Sequence, residues 1–119
     1  MDIKLYDSEL KVMEILWEHG EAAAKKIAQI LAKQIEWSKT TTYTVIKKCL
    51  DKNAIERIEP GFICRPLITK KQAREYETTE LINKMYGGSA DNLIASVIGQ
   101  KNLSPEEITR LKKIVNDLE

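Results

Sequence analysis

Residues 37–50 have the sequence WSKTTTYTVIKKCL and predict a helix that carries its own start signal. Ser38 is a suitable N-cap residue, because its hydroxyl can accept a hydrogen bond from the free backbone N–H groups of the first turn. Beyond it, the less polar side chains recur three or four residues apart, at Thr42, Val45, Ile46, Cys49 and Leu50. That spacing is typical of a helix packed on one side. This helix is therefore expected to anchor the fold, with its other side exposed.

The opposite side of this helix has an unusual composition for an exposed surface. It carries lysines, threonines and one tyrosine, namely Lys39, Thr40, Tyr43, Thr44, Lys47 and Lys48. No carboxylate occurs between Trp37 and Leu50, whereas an ordinary exposed helix surface usually mixes both signs. Lysines neutralise phosphates, while hydroxyl and phenol groups reach phosphate oxygens or base edges. Taken alone, the stretch is equally consistent with a helix that contacts DNA and with an ordinary amphipathic helix. The neighbouring segments are needed to choose between these two interpretations.

The residues before this helix predict two more helices. The first ends at Gly20, and the second runs over about residues 22–33. Near the start of the second helix, Lys25 and the free backbone N–H groups together could hold a phosphate. Residues 35–37 look extended and lead into the third helix. Helix, helix, short connection and helix make up the helix-turn-helix arrangement, in which the last helix enters the major groove of DNA.

The residues after this helix change from a helical to an alternating pattern. Two short strands are predicted within residues 55–67, joined by a tight turn at Glu59-Pro60-Gly61. A two-stranded hairpin directly after a recognition helix is a wing. Arg57 and Arg65 are its cations best placed to touch a phosphate or to enter the minor groove. Each arginine could equally serve only to solubilise the hairpin, and nearby glutamates argue against a strongly binding wing.

Residues 69–119 predict three further helices with apolar stripes. A break at Gly87-Gly88-Ser89 separates the first two, and Ser104-Pro105 starts the third. The positions expected to form a dimer interface are Leu81, Ile82, Met85, Leu93, Ile94, Val97, Ile98, Ile108, Leu111, Ile114, Val115 and Leu118. These three helices are too small to fold alone, so a homodimer is expected to cover the stripes. In a competing arrangement, they fold back on the N-terminal domain of the same chain.

Composition limits the classes of protein that fit. The net charge is only +1 over 119 residues, so any DNA binding must come from a local patch. No apolar run is long enough to span a bilayer, and the N-terminus lacks a signal-peptide layout, which predicts a cytoplasmic protein without a membrane partner. Cys49 and Cys64 form no metal-binding spacing, so they are expected to be reduced core thiols.

Catalysis and cofactor binding have no sequence signal here. His19 is the single histidine, and its place near the end of a helix favours a capping or solvent role. There is no phosphate-binding glycine loop, nucleophile elbow or clustered metal-ligand motif. We therefore predict no enzyme, no metal site and no cofactor. The main alternative to a DNA-binding protein is a winged-helix module that binds another protein.

Several stretches together resemble one known family. They are Leu16-Trp17-Glu18-His19-Gly20, residues 37–50, Lys52-Asn53-Ala54-Ile55, Pro66-Leu67-Ile68, Gly88-Ser89 and Leu103-Ser104-Pro105-Glu106-Glu107-Ile108. With compatible spacing over almost the whole chain, they are similar to the BlaI/MecI/CopY family of penicillinase-type transcriptional repressors. The resemblance implies a mainly helical fold, with a winged-helix DNA-binding domain over residues 1–68 and a three-helix dimerisation domain over residues 69–119. It also implies a homodimer that binds a palindromic double-stranded operator and represses transcription.

The resemblance also implies which residues face the DNA groove. By position these are Ser38, Lys39, Thr40, Thr41, Tyr43, Thr44, Lys47 and Lys48. Tyr43 departs from the family, because many members have a lysine or another polar residue there, and it bears on base preference. The wing is also short, with Pro60-Gly61 where family members often carry several polar residues, so few wing contacts are expected.

Two further departures concern release from DNA. In β-lactam-responsive members an Asn-Phe bond is cleaved, and the matching position here is Ser96-Val97, which does not support cleavage at that bond. Copper-responsive members carry paired Cys-x-Cys motifs near the C-terminus, whereas this chain has no cysteine after Cys64. The resemblance therefore identifies neither an inducer nor an inactivating protease or sensor partner.

Overall fold

In the computed structural model, which describes residues 3–100 and 103–118, short strands are interleaved with six helices. The elements are α1 Asp7–His19, β1 Ala22–Ala23, α2 Ala24–Ile35, α3 Lys39–Asp51, β2 Ile55–Ile58, β3 Ile63–Pro66, α4 Lys70–Met85, α5 Ala90–Gly99 and α6 Pro105–Asp117. The prediction of a mainly helical chain with a small hairpin is confirmed. None of the described helices is both long and apolar enough to cross a membrane.

The chain divides into two compact units, one up to Glu77 and one from Thr78. The division falls inside α4. The predicted boundary between the domains lies instead between residues 68 and 69. The separate functions of the two domains stay a prediction. The outer limits of the predicted domains, residues 1 and 119, lie outside the described residues.

Helix α1 begins and ends at local signals in the sequence. The Tyr6 N–H donates to Glu9 Oε1 at 2.7 Å, which satisfies a backbone group at the helix start. At the other end Gly20 has a φ of 84°, and its N–H donates to the Leu16 carbonyl at 2.7 Å. A positive φ is easily adopted by glycine, so the predicted end of this helix is confirmed.

Helix α2 starts later and ends later than predicted. Ala22 and Ala23 form strand β1, which pairs antiparallel with β3 through Cys64 and Ile63. At the far end the helix continues through Ile35, and Glu36 follows in the left-handed conformation at φ 58° and ψ 27°. The predicted extended segment at residues 35–37 is therefore wrong, because a single left-handed residue turns the chain toward α3.

Strands β2 and β3 form the predicted wing hairpin, with Arg57 opposite Cys64 and Ile58 opposite Ile63. The sheet has three strands rather than two, in the order β1-β3-β2. Strand β1 therefore fixes the hairpin to the start of α2, and the Ala24 N–H adds a bond to the Phe62 carbonyl at 2.9 Å.

The core of the first unit is formed by apolar side chains from α1, α2, α3, the sheet and the start of α4. Its most buried members are Val12, Met13, Leu16, Ala24, Ile27, Leu31, Ile46, Cys49, Ala54, Ile55, Cys64 and Ile68. Trp17 closes one end, because its Nε1–H donates to the Ile68 carbonyl at 2.9 Å. Both cysteines are free thiols, as predicted. Burial raises the pKa of Cys49 to about 12 and that of Cys64 to about 11.

The second unit has well-capped helices. Ser89 Oγ accepts from the Asn92 N–H at 3.3 Å, and Ser104 Oγ accepts from the Glu107 N–H at 3.1 Å. The Glu107 carboxylate accepts in return from the Ser104 N–H at 3.0 Å, which lowers the pKa of that carboxyl. The predicted break at Gly87-Gly88-Ser89 and the predicted start of α6 are confirmed. No residue of α5 or α6, both of which lie wholly within the described ranges, is buried.

Candidate nucleic-acid interface

Helix α3 has the predicted N-cap and the predicted buried side. Ser38 Oγ accepts from the Thr41 N–H at 3.1 Å. The apolar stripe faces the core, where Thr42, Val45, Ile46 and Cys49 are buried. The helix is therefore held by packing on one side, which compensates for a threonine-rich sequence of low helix propensity.

The opposite side of α3 forms a shallow open depression of about 420 Å³, which the structure lines with five of the predicted contact residues. They are Lys39, Thr40, Tyr43, Thr44 and Lys47. Lys48 is exposed but lines a neighbouring depression with residues of α1, together with Asp51 and Lys52. The structure thus brings most of the predicted groove-facing side chains together and places Lys48 at their edge.

Hydrogen bonds within α3 determine how its hydroxyl groups can act. The Ser38 hydroxyl donates to Thr41 Oγ1 at 2.9 Å, and the Thr44 hydroxyl donates to the Thr40 carbonyl at 2.9 Å. A hydroxyl has one proton and two lone pairs. Because the Thr44 proton is engaged, this side chain meets a ligand mainly as a hydrogen-bond acceptor, as the exocyclic amino groups of bases require.

The lysines of this surface are only weakly engaged by protein groups. Lys47 Nζ lies 3.4 Å from Asp51 Oδ2, and the two side chains are 75% and 66% exposed. An exposed pair at this spacing contributes about 0.3–0.5 kcal/mol, so a phosphate can replace the carboxylate at little cost. Lys39 Nζ lies 5.6 Å from the centroid of the Tyr43 ring, within cation–π range.

The wing arginines both have carboxylate partners. Arg57 Nε donates to Glu59, and its guanidinium carbon lies 3.6 Å from the centroid of the Phe62 ring. The hydrogen bond from Arg57 lowers the pKa of the Glu59 carboxyl, which keeps this pair charged. Arg65 lies 3.3 Å from Glu56 on the paired strand. A phosphate would have to displace these carboxylates, and the structure does not place either arginine in the α3 depression.

Lys25 lies in the first turn of α2, where it is exposed. The Ala24 N–H donates to the Phe62 carbonyl, but the N-cap residue Ala23 has no side-chain acceptor for the remaining N–H groups of that turn. The first turn also has no acidic residue. These features leave the predicted phosphate position at Lys25 accessible.

Two residues that matter for the site were not singled out from the sequence. Phe62 packs edge to face against Tyr43, with ring centroids 5.9 Å apart and planes at 86°. Lys52, at the end of α3, donates to Glu9 Oε1 at 2.6 Å and to the Lys4 carbonyl at 2.8 Å. Neither contact has a local sequence signal, because each joins residues far apart in the chain.

Comparison with known proteins gives a consistent result over nearly the full length. A family model described as penicillinase repressor matches residues 5–117. The penicillinase repressor of Bacillus licheniformis is 26% identical over 116 residues, covering 96% of this chain and 91% of that protein. The methicillin resistance regulatory protein MecI of Staphylococcus aureus is 30% identical over 121 residues, covering 98% of both.

Among solved structures, the solution structure of the DNA-binding domain of the repressor BlaI is similar to this chain, with a TM-score of 0.55 and 26% identity. The match covers 88% of that domain and 59% of this chain.

Proposed function

Since the chain belongs to the penicillinase repressor family, we propose that it is a DNA-binding transcriptional repressor and not an enzyme. The observation that carries the proposal is the outward surface of α3, which gathers lysines, hydroxyls and a phenol without a carboxylate among its lining residues. The similarity to the DNA-binding domain of BlaI supports DNA as the partner over the alternative of a protein-interaction module. A protein that acts on DNA is expected in the cytoplasm.

In the proposed complex, α3 lies in the major groove. Lys39, Lys47 and Lys48 neutralise phosphates at the groove edges, and the N-terminal end of the helix at Ser38 and Thr41 approaches the backbone. The base-reading side chains are those that line the depression between the lysines, namely Thr40, Tyr43 and Thr44. This arrangement separates affinity, supplied by charge, from specificity, supplied by the hydroxyl and phenol groups.

Outside α3, the contributions are smaller. Lys25 and the free N–H groups of the first turn of α2 hold a phosphate beside the groove. Arg57 and Arg65 reach the DNA only by exchanging a carboxylate partner for a phosphate. Because each pair is about half exposed, that exchange is inexpensive but brings little net gain.

We further propose a homodimer formed through the second unit. Its apolar side chains are widely exposed in the single chain, among them Met85 at 66%, Val115 at 61% and Leu118 at 80%. The other exposed members are Leu81, Ile94, Val97, Ile98, Ile108, Leu111 and Ile114. Ile82 and Leu93 are half-buried. So much apolar surface on three helices favours association with a second copy. The competing arrangement, in which the helices fold back on the same chain, predicts a monomer.

A dimer explains how repression would work. Two α3 helices related by a two-fold axis fit a palindromic site when they lie about 34–36 Å apart, one turn of DNA. While the dimer is bound, it sterically excludes polymerase from a promoter that overlaps such a site. Repression then depends on occupancy alone.

The proposal is tested by selecting bound sequences from a random duplex pool with the full-length protein. The expected product is one palindrome whose half-sites are centred about 10 base pairs apart. Sedimentation of the same protein sample is expected to show a dimer. Failure to enrich any sequence with a folded dimer would instead support the protein-interaction module.

A further inference from the structure

Phe62, directly after the wing turn, has a strained backbone for a bulky residue. Its φ is 50°, in the left-handed region, which aromatic side chains rarely adopt. The Phe62 N–H donates to Glu59 Oε2 at 3.3 Å, and its carbonyl accepts from Ala24 at 2.9 Å. Strain of this kind persists where the surroundings hold a residue firmly, and it is concentrated at functional sites. The conformation of Phe62 therefore points to a role for its ring.

The ring of Phe62 connects the wing to α3. It meets Tyr43 edge to face, a favourable geometry for two aromatic rings. The Arg57 guanidinium lies over the Phe62 ring and donates a hydrogen bond to Glu59. Lys39 lies near the Tyr43 ring as well. Tyr43 is thus in contact with both a cation of its own helix and an aromatic ring of the wing.

These contacts matter because Tyr43 lines the depression on the outward side of α3. A tyrosine on a helix surface normally exchanges between side-chain rotamers. Tyr43 and Phe62 are both half-buried against the core, so their contact adds to that packing, restricts the exchange and reduces the entropy lost when the phenol is fixed against a base. Preorganised contact groups discriminate better than mobile ones.

We propose that Phe62 is a positioning residue for base recognition: it holds the Tyr43 phenol at one base step and so sets sequence preference there. The proposal rests on the proposed function, because it requires DNA in the groove beside α3. A purely structural role for Phe62 makes a different prediction. It would lower stability, or weaken binding to every DNA sequence equally, without changing the preference between bases.

The test uses the full-length protein, the selected palindrome and palindromes that carry each single base-pair change symmetrically. Tyr43→Ala identifies the position that Tyr43 reads. Phe62→Leu keeps an apolar side chain but removes the ring contact, and it is expected to reduce discrimination at that same position by about tenfold, the scale of one base contact. Phe62→Tyr retains the ring and is expected to keep wild-type discrimination.

Two further variants separate positioning from stability. In Phe62→Leu combined with Tyr43→Ala, discrimination is expected to be no lower than with Tyr43→Ala alone, because both changes remove the same base contact. Phe62→Gly adopts the positive φ without strain, so it removes the ring while keeping the turn, and thermal unfolding checks that the fold survives. It is expected to lose the same discrimination as Phe62→Leu.

Wild-type discrimination in both Phe62→Leu and Phe62→Gly would overturn the proposal, and so would losses that add to those of Tyr43→Ala. Neither result would contradict the proposed repressor function, because the wild-type protein would still select a palindrome. If the wild-type protein selects no sequence, both proposals fall together.

Discussion

Thr42 is a polar residue of α3 that packs against the core. It lies on the buried side of α3 with no accessible surface. Within the described ranges, its Oγ1 is the buried side-chain polar atom that lacks a hydrogen-bond partner. A buried hydroxyl without a partner retains the cost of leaving water.

Thr42→Val should therefore increase the free energy of unfolding, by up to about 1 kcal/mol, because it removes this hydroxyl and keeps the side-chain shape. Urea denaturation of the full-length protein measures the change. Thr40→Val, on the exposed side of the same helix, is the matched control and should change stability by less than about 0.5 kcal/mol. A clear loss of stability in Thr42→Val would show that the hydroxyl has a partner.

The buried thiols predict that the free energy of unfolding depends on pH in the alkaline range. Cys49 has a pKa of about 12 in the folded protein and about 9 as an ordinary thiol. Well below pH 9 the Cys49 thiol is protonated in both the folded and the unfolded protein, so its full contribution to stability is present. As the pH rises from 9 toward 12, the thiol of the unfolded protein loses its proton first, and the free energy of unfolding falls.

Thiol labelling at pH 8 and pH 9.5 gives an independent readout. Both cysteines should be protected in the folded protein and react rapidly in denaturant. Fast labelling of the folded protein at pH 8 would contradict the burial of Cys49 and Cys64.

Helix α3 is fixed to α1 by the buried carboxylate of Glu9, which pairs with Lys52. This side chain is only 2% exposed, while that of Lys52 is 28% exposed. Glu9 also caps α1, and Lys52 lies 4.4 Å from the centroid of the Tyr6 ring. The pair therefore joins the start of one helix to the end of another.

Removing one charge of the Glu9–Lys52 pair should lower the free energy of unfolding more than removing a charge from an exposed pair. Lys52→Met is expected to lower the free energy of unfolding by about 3 kcal/mol, since it leaves Glu9 buried without its cation. Lys47→Ala, which breaks an exposed pair, should cost below about 0.5 kcal/mol. Glu9→Gln in the Lys52→Met background should recover much of the loss, and chemical denaturation compares all four proteins. Equal effects of Lys52→Met and Lys47→Ala would rule out a buried pair.

The lysines of α3 predict a change in salt dependence. Replacing Lys47 and Lys48 with alanine should weaken binding to all DNA sequences. It should also reduce the slope of log affinity against log salt by roughly 0.9 for each phosphate that the variant no longer neutralises. Lys112 and Lys113 of α6, changed to alanine, provide the control with equal loss of charge. An unchanged slope for the α3 variant would remove these lysines from the interface.

Elements set by neighbouring residues could be predicted from the sequence, whereas those set by distant contacts could not. Ser38 and Ser104 cap their helices within three residues, so their signals are local. Strand β1 is two alanines that become a strand only by pairing with β3, which no local pattern shows. The same applies to the site: the surface of α3 follows helical spacing, but the contact of Phe62 with Tyr43 depends on where the wing folds.

The exposed apolar surface of the second unit predicts that DNA binding is coupled to dimerisation. Ile114 of α6 is 58% exposed in the single chain. Ile114→Lys should give a monomer that binds a palindrome little better than a half-site, because a buried charge opposes the interface. Asn116→Lys adds the same charge on the same helix at a polar position and should remain a dimer. Sedimentation shows both outcomes, and a dimeric Ile114→Lys protein would place the interface elsewhere.

In the proposed complex, two chains read one palindrome through two α3 helices. Sedimentation of the full-length protein with the selected duplex, beside a duplex that keeps one half-site, measures how many chains bind. We expect two chains of 13.6 kDa on the palindrome and much weaker binding to the half-site. One chain per duplex, with equal affinity for both duplexes, would contradict binding as a dimer.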